Sequence, residues 1–548
     1  MRAIEECGAM GASSSSPLRI AVFRNFWIAG SVSNVGSIIL TVAASWHMIS
    51  IAQSAEQVAL VQTFATMPIV LLSVSAGAVA DILDRRLVML IAQSFMFCAS
   101  CGLTVLVVTV GVSPSVLLIL VFFIGCGAAI HGPAWHASVG DQVPSSDLPS
   151  AVALNSLGLN LARSLGPALG GILIATGGIP AAFAASALAS IGLIAVLLFW
   201  RPAVPDTTLP REDLASAMLA GIRFATLSPL VPALLLRGLL FGAGAGALPA
   251  LLPLIARENL SGAVLTFGVL LGSYGTGSVV GALSSSALRS RFQVETLVRW
   301  SSAIFAVSSV TVAFSTNAIV SAILLLPAGA CWVVALVSLN VSVQLSVPRW
   351  VIGRVLALFQ MMVYAGISGG SWIWGLVAEH QGCQAALALS ALMLLVCYAA
   401  GFWFPVHGSH NRDFGPRSDW QTPKPAPAIS GRSGPVAVEI QWRIATNDVP
   451  HFAQLMLGRR RMFSRNGARF WTLARDTQDP ENWSERYEIA TWFDYLRLNE
   501  RITRDDAGYF EELAKLEKAV NGPSVRRTIL YQPRTLTGDS PPDTSMPF

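Results

Sequence analysis

Stretches of about 20 apolar residues, broken by short polar loops, recur twelve times before residue 408. A helix of that length crosses the roughly 30 Å hydrocarbon core of a bilayer, where a backbone has no water to bond and must satisfy its own polar groups. The first six stretches lie near 26–50, 58–80, 87–110, 115–139, 151–175 and 181–200. After a polar connection from Arg201 to Ser228, six more lie near 230–256, 263–287, 294–315, 318–345, 354–378 and 384–404. Only 12% of the residues are charged and mean hydropathy is +0.59, against roughly 25% charged in soluble globular domains, so a soluble fold is excluded for this part of the chain.

The arginines orient the spans. Arg19, Arg24, Arg85, Arg86, Arg201, Arg211, Arg223, Arg289, Arg291, Arg349, Arg354, Arg412 and Arg417 fall in alternate loops on one side, whereas the other side carries Glu56, Arg257, Glu258 and Glu379. By the positive-inside bias the first side is cytoplasmic, and both termini with it. The loop from Asp141 to Pro149 is acidic and runs against this pattern. Net charge is +5 with the basic residues in loops and the C-terminal region, so the partners expected are the lipid bilayer and a small molecule rather than nucleic acid. No cleavage-type signal is read in the first residues; the seven cysteines lie mostly inside apolar segments and imply no disulfide framework, and Cys98 and Cys101 read as small packing residues rather than a redox or metal pair.

The stretch from Gly158 to Gly171 differs from the other spans. Gly158, Ala162, Gly166 and Gly170 recur every fourth residue and form a small-residue stripe along which another helix can approach closely, with Pro167 as a kink. Ser156, Asn160 and Arg163 make a second, polar stripe that lipid would not tolerate, so Arg163 must look into protein or water. Adding 204 to this numbering brings Ala162, Gly166 and Gly171 onto Gly366, Gly370 and Gly375. The same offset carries Gly77 to Gly281, Arg85 to Arg289, Val143-Pro144 to Val347-Pro348 and Ala153-Leu154 to Ala357-Leu358. One unbroken register over so many punctuating residues indicates a duplicated unit, with parallel repeats at about 20–200 and 229–405 inside a membrane domain 1–408.

Beyond residue 408 the character changes. Residues 409–434 are rich in Pro, Ser, Gly and Arg and read as a flexible linker, and 535–548 as a disordered tail. Between them, 435–534 reads as a soluble α+β domain: an alternating strand through Val436, Val438, Ile440, Trp442 and Ile444, a helix with Phe452, Leu455 and Met456 on its apolar face, strands at Arg469–Arg475 and Tyr487–Phe493, charged helices up to Val520, and a last strand at Val525–Tyr531. The order βαββαβ suggests a ferredoxin-like domain.

Two six-helix halves with Gly77-Ala-Val-Ala-Asp81-Ile-Leu-Asp84-Arg85-Arg86 between the second and third spans resemble the major facilitator superfamily, whose loop reads G-x-x-x-D-R-x-G-R-R. The resemblance implies the major facilitator fold: twelve transmembrane helices as two repeats. Here Ile82 and Asp84 depart from the pattern, and the second-half copy keeps Gly281 and Arg289 but has Ser285 in place of the acid. Together the glycine, aspartates and arginines imply a breakable latch, the bland alternative being a topology signal alone. Ala162-x-x-x-Gly166-Pro167-x-x-Gly170-Gly171 is similar to that superfamily's fifth-helix motif, which implies export in exchange for protons and no cofactor beyond the proton gradient. LNSLGLNLARSLGPALGG and VPRWVIGRVLALFQ resemble the branch of enterobactin exporters and transmembrane secretion effectors, although Ile352 stands where that branch implies arginine. Arg465-Asn-Gly467-Ala468-Arg469-Phe-Trp471, with Asp476, is similar to a segment of that branch's monooxygenase-like C-terminal domain. The implied location is the bacterial inner membrane.

Charge inside the spans gives the site candidates. Arg163 and Arg237 are the intramembrane cations, each suited to an anionic substrate group, with structural anchoring the alternative for Arg163; Asn160 shares its stripe. Trp135 and Tyr364, with Trp46, Trp372 and Trp374, are candidates for an aromatic cavity or for interface belts. No carboxylate lies well inside a span, so His131 and His47, whose imidazoles titrate in the physiological range, are the proton-coupling candidates, with plain packing as the alternative. In the C-terminal domain His451, Trp471 and Trp492 are candidates to line a cavity, but no metal-ligand spacing or nucleophile–base pair is visible, and a binding or dimerisation module is expected. The competing expectation is a membrane-tethered enzyme or regulator acting through that domain.

Overall fold

A computed structural model of the chain describes residues 17–144, 147–201, 214–258, 260, 264–348, 350–406, 429, 431–518 and 522–530, with the side chains of 74, 78, 80–82, 149 and 214–217 left aside. The expected tail, most of the expected linker and the side chain of Asp81 therefore lie outside the described residues. The chain divides into two compact units: 1–207, 233–343 and 356–408 form the first, and 208–232, 344–355 and 409–548 the second.

The helices before the linker are α1 (Ala21–Ile51), α2 (Ala55–Ile82), α3 (Arg85–Thr109), α4 (Pro114–Ser138), α5 (Leu148–Phe199), α6 (Leu214–Leu227), α7 (Val231–Ala245), α8 (Ala247–Glu258), α9 (Val264–Arg291), α10 (Val294–Phe314), α11 (Ala318–Leu345) and α12 (Ile352–Trp403). Among the described residues they supply ten helical stretches long and apolar enough to cross a membrane, α7 and α8 together making one. Their starts follow local chemistry. Ser54 accepts from the Gln57 amide at the head of α2, Asp84 from Arg86 at α3, and Ser113 from Val116 at α4, where Pro114 takes the first turn. The seventh stretch, read as one span from the sequence, is broken: Pro249 lacks an amide and its ring crowds the carbonyl four residues earlier, so α7 stops at Ala245 and α8 restarts at Ala247.

The 204-residue spacing recurs in the backbone of two helices. α5 and α12 are both 52 residues long, their ends are 204 residues apart, and each joins two helical segments at one non-helical glycine, Gly178 (φ 77°, ψ 175°) and Gly382 (φ 87°, ψ 161°). These two glycines are also related by 204. Backbone of this kind is open essentially to glycine alone.

The second unit is built on strands β1 (Val436–Arg443), β2 (Arg469–Arg475), β3 (Asn482–Ile489) and β4 (Ser524–Ile529), with helices α13 (Val449–Arg465), α14 (Trp492–Glu500) and α15 (Arg504–Leu516). The sheet is antiparallel throughout, in the order β2-β3-β1-β4. Val436, Val438, Ile440 and Trp442 present one face of β1 to a core with Phe452, Met456 and Phe463 of α13 and Tyr487 and Ile489 of β3. The strand expected over Tyr487–Phe493 is shifted: β3 ends at Ile489, and Thr491 caps α14 by accepting from the Asp494 amide, which turns Trp492 and Phe493 into helix.

Candidate translocation site

The small-residue stripe of α5 lies against α1. A Cβ on Gly166 would stand 2.8 Å from Ile38 Cγ2, and one on Gly170 3.2 Å from Val42 Cβ. Ala162 is fully buried in the same face and Pro167 is buried beside it. The opposite edge of α5 meets α9 of the other repeat: Gly171 meets Gly268 backbone to backbone, Ser164 Oγ is 3.1 Å from Thr276 Oγ1, and a Cβ on Gly275 would stand only 2.1 Å from the Arg163 carbonyl oxygen. The 204-residue register holds at this seam too, because Ser368 and Gly375, the counterparts of Ser164 and Gly171, also reach across. Thr63 Oγ1 donates to the Ser368 carbonyl at 3.0 Å, and Gly375 packs on Ala59 of α2. Both repeats therefore present the same positions to each other.

These contacts are gathered toward one end. The turn between α1 and α2 holds the turn beyond Glu379: the Ala55 amide donates to the Glu379 carboxylate, and Trp372 Nε1 donates to Glu56 at 3.0 Å. Arg257 of α8 donates to the Ile49 carbonyl at 2.6 Å, and Trp46 stacks on Phe267, 6.0 Å between ring centroids. The hydrogen bonds from Ala55, Trp372, Arg257, Thr63 and Ser164 that join the repeats lie between this end and the level of Ser164–Thr276.

Arg163 lies on this seam. Its side chain is exposed, it has no carboxylate partner among the described residues, and its charge acts on the buried Tyr274 of α9. Asn160, half-buried one turn earlier, is related by 204 to half-buried Tyr364 of α12, so these two candidates hold equivalent places in the two repeats. Arg237 is elsewhere. It is fully buried, its Nη1 donates to Glu295 Oε1 at 3.1 Å, and Glu295 Oε2 accepts the Val406 amide at 2.8 Å. Glu295 stands in the first turn of α10, at the end of a span rather than well inside it.

His131 and Trp135 lie one turn apart on α4 and stack at 5.6 Å, and Trp135 in turn covers Gly30 of α1. His131 Nε2 is buried without a hydrogen-bond partner among the described residues. His47 Nε2 is equally unpartnered, while its Nδ1 is 3.3 Å from Ser50 Oγ. Trp374 Nε1 donates to the Ala243 carbonyl at 2.7 Å, tying α12 to α7.

The loop after Gly77 is anchored within the first repeat. Arg85 Nη1 reaches both oxygens of Asp141, at 2.9 and 3.2 Å, and the Ala137 carbonyl; Arg86 donates to the carbonyls of Leu197 and Leu198 at the end of α5. Asp141, which breaks the loop charge pattern in sequence, is the counter-charge of Arg85. In the second copy Gly281 meets the Ala330 backbone of α11, and Arg289 Nη1 is buried without a partner among the described residues.

The sequence matches the transmembrane secretion effector family of major facilitator transporters over residues 12–535. The chain belongs to this family. Curated relatives include the enterobactin exporter EntS of Shigella boydii serotype 18 and of Escherichia coli O1:K1, each 29% identical over 266 residues, which is 48% of this chain and 63% of theirs. Solved structures with the same fold include a bacterial homologue of the lysosomal transporter Spinster in an inward-facing, unoccupied conformation (TM-score 0.58, 14% identity, 71% of this chain and 97% of that one). An autoinhibited POT family peptide transporter (TM-score 0.59, 11% identity, 72% and 97%) shares it as well. The chain is thus a multi-pass membrane protein of a transporter family.

Proposed function

We propose that this transporter exports a small amphiphilic molecule by alternating access, in exchange for protons. The observation that carries this reading is Arg163, a cation without a carboxylate partner among the described residues, on the helix edge where the two repeats meet. Counting α5 and α12 as two crossings each supports a reading of twelve spans, and the arginine asymmetry favours both termini in the cytoplasm. The end where the repeats are joined, near Ser54 and Glu379, is then periplasmic, and the arrangement is the inward-open member of the cycle. His131 is our proton-coupling residue, because its unpartnered Nε2 can take a proton next to the seam helices. The relatives named as enterobactin exporters make a catecholate siderophore the first substrate to try, alongside a drug-like amphiphile. The strand order β2-β3-β1-β4 and the element order βαββααβ support a ferredoxin-like reading of the C-terminal domain, suited to binding or dimerisation.

Everted vesicles with an imposed pH gradient test this. Export by antiport predicts accumulation of the compound inside them and its collapse on adding an uncoupler. Accumulation that ignores the uncoupler removes the proton step, and uptake only into right-side-out vesicles makes the chain an importer. Cysteine labelling of positions 85, 86 and 409–434 from each side tests the topology, which fails if these positions react from outside.

A further inference from the structure

The C-terminal domain has a cavity of about 180 Å³, partly open to the outside, between its sheet and helices α13, α14 and α15. A cavity of about 150 Å³ suffices to hold a benzene ring, so one ring with a small substituent fits. The residues expected to line such a cavity do not: His451 is on the surface 3.9 Å from Glu512, Trp471 donates to Glu485, and Trp492 stacks on Tyr495. The walls are instead apolar, with Val438, Ile440, Phe463 and Phe510, and the polar groups are Arg459, Arg527, Tyr487, Tyr495 and Asn499.

The charges decide the ligand. Arg459, 2% exposed, directs its Nε at both oxygens of Glu485 (3.0 and 2.9 Å), and Glu485 also accepts from the indoles of Trp471 and Trp442. That carboxylate is saturated and neutralises one guanidinium. Yet Arg459 Nη1 remains a buried donor with no partner among the described residues. Phe463 and Phe510 lie 4.6 and 4.5 Å from its guanidinium and keep it dry. Arg527 brings a second cation, held by its Nε donating to Tyr495 Oη at 2.6 Å and without a carboxylate partner among the described residues. Burial pushes the Tyr487 hydroxyl up, so it stays protonated and offers a further donor. The cavity thus has one net positive charge, an unused buried N–H and aromatic walls, a combination suited to a planar anion.

We infer that this cavity binds a small one-ring carboxylate, with Arg459 Nη1 and Arg527 receiving the carboxylate and the ring lying among Phe463, Phe510 and the β1 side chains. This site is separate from the transport seam and does not depend on the direction of transport. The test uses the full chain in detergent, with benzoate and its neutral isostere benzamide as probes, and reads binding by calorimetry. Benzoate should bind at least tenfold tighter than benzamide. Arg527→Gln, at an exposed strand position that leaves the fold intact, should erase most of that preference, as should the paired change Arg459→Met with Glu485→Leu, which strands no charge. Benzoate binding no tighter than benzamide in the folded wild type overturns the inference. So does a preference that survives Arg527→Gln, because the anion is then held elsewhere in the chain; if the paired variant fails to fold, Arg527→Gln alone decides.

Discussion

Arg237 and Glu295 allow a structural role to be separated from a substrate role. Arg237 is wholly buried and touches Glu295 at 3.1 Å, while its Nε and Nη2 have no partner among the described residues. Breaking a buried pair from one side costs about 3–5 kcal/mol, because one charge is left in a medium that cannot solvate it. Glu295→Leu strands the guanidinium, with none of its surface exposed, and is expected at the upper end. Arg237→Leu strands a carboxylate that is still 14% exposed and still holds the Val406 amide, and is expected lower. The double change removes both charges and the two unsatisfied donors, each of which carries a penalty on the order of 1–3 kcal/mol, so it should unfold no earlier than the wild type. The assay is thermal unfolding of the detergent-solubilised protein, read as the rank order Glu295→Leu, Arg237→Leu, then wild type at or below the double variant. A double variant as weak as Glu295→Leu refutes the reasoning. If the double variant is stable but moves no substrate at matched protein level, Arg237 has the substrate role that its sequence position suggests.

Gly275→Val puts a side chain where even a Cβ stands 2.1 Å from the Arg163 carbonyl, so it should separate the repeats and abolish transport, read in vesicles at equal protein level. Gly178→Ala and Gly382→Ala should each lower stability by about 1–3 kcal/mol, with similar losses in thermal unfolding, since both sit at the same non-helical backbone of the repeat. Arg85→Gln should cost at most about 1 kcal/mol, because Arg85 and Asp141 are 33% and 20% exposed, and a charge swap of the two should restore the difference in the same measurement. Arg163→Gln should stop transport of an acidic substrate while sparing a neutral one, and Arg163→Lys should recover part of it; equal losses for both substrates retire the binding role.

Much of the membrane part is legible in sequence because its rules are strict. Apolar length and loop arginines locate spans without tertiary knowledge, and a duplicated unit repeats its own punctuation. Pairing is harder to see. Asp141 looked like an exception to loop charge until Arg85 was found against it, and Glu295 stood at a helix end where its reach to Arg237 depends on how two helices pack. In the C-terminal domain Arg459 opens the run Arg459-Arg460-Arg461, which reads as a solvated charge cluster. Its signal was spacing: Phe452, Leu455, Met456, Arg459 and Phe463 fall on one face of α13, and an arginine on an apolar stripe is a candidate for burial.

The repeat also explains why Arg163 stands out, since duplication supplies an internal control. Position for position, Ser164 and Ser368 both hydrogen-bond across the seam, and Gly171 and Gly375 both pack on the opposite repeat. The counterpart of Arg163 is Ile367, which is buried against Gly246 of the broken seventh span. A scaffold needs neither residue to be charged, because the same helix approach is made with isoleucine in one repeat. The charge in the other repeat is therefore an addition to the packing. Its side chain is exposed at the seam, and among the described residues no carboxylate meets it. A substrate anion is the partner this asymmetry leaves open, and transport of matched acidic and neutral compounds by Arg163→Ile, which makes the two repeats alike at this position, would expose it most directly: the folded variant should keep the neutral substrate and lose the acidic one.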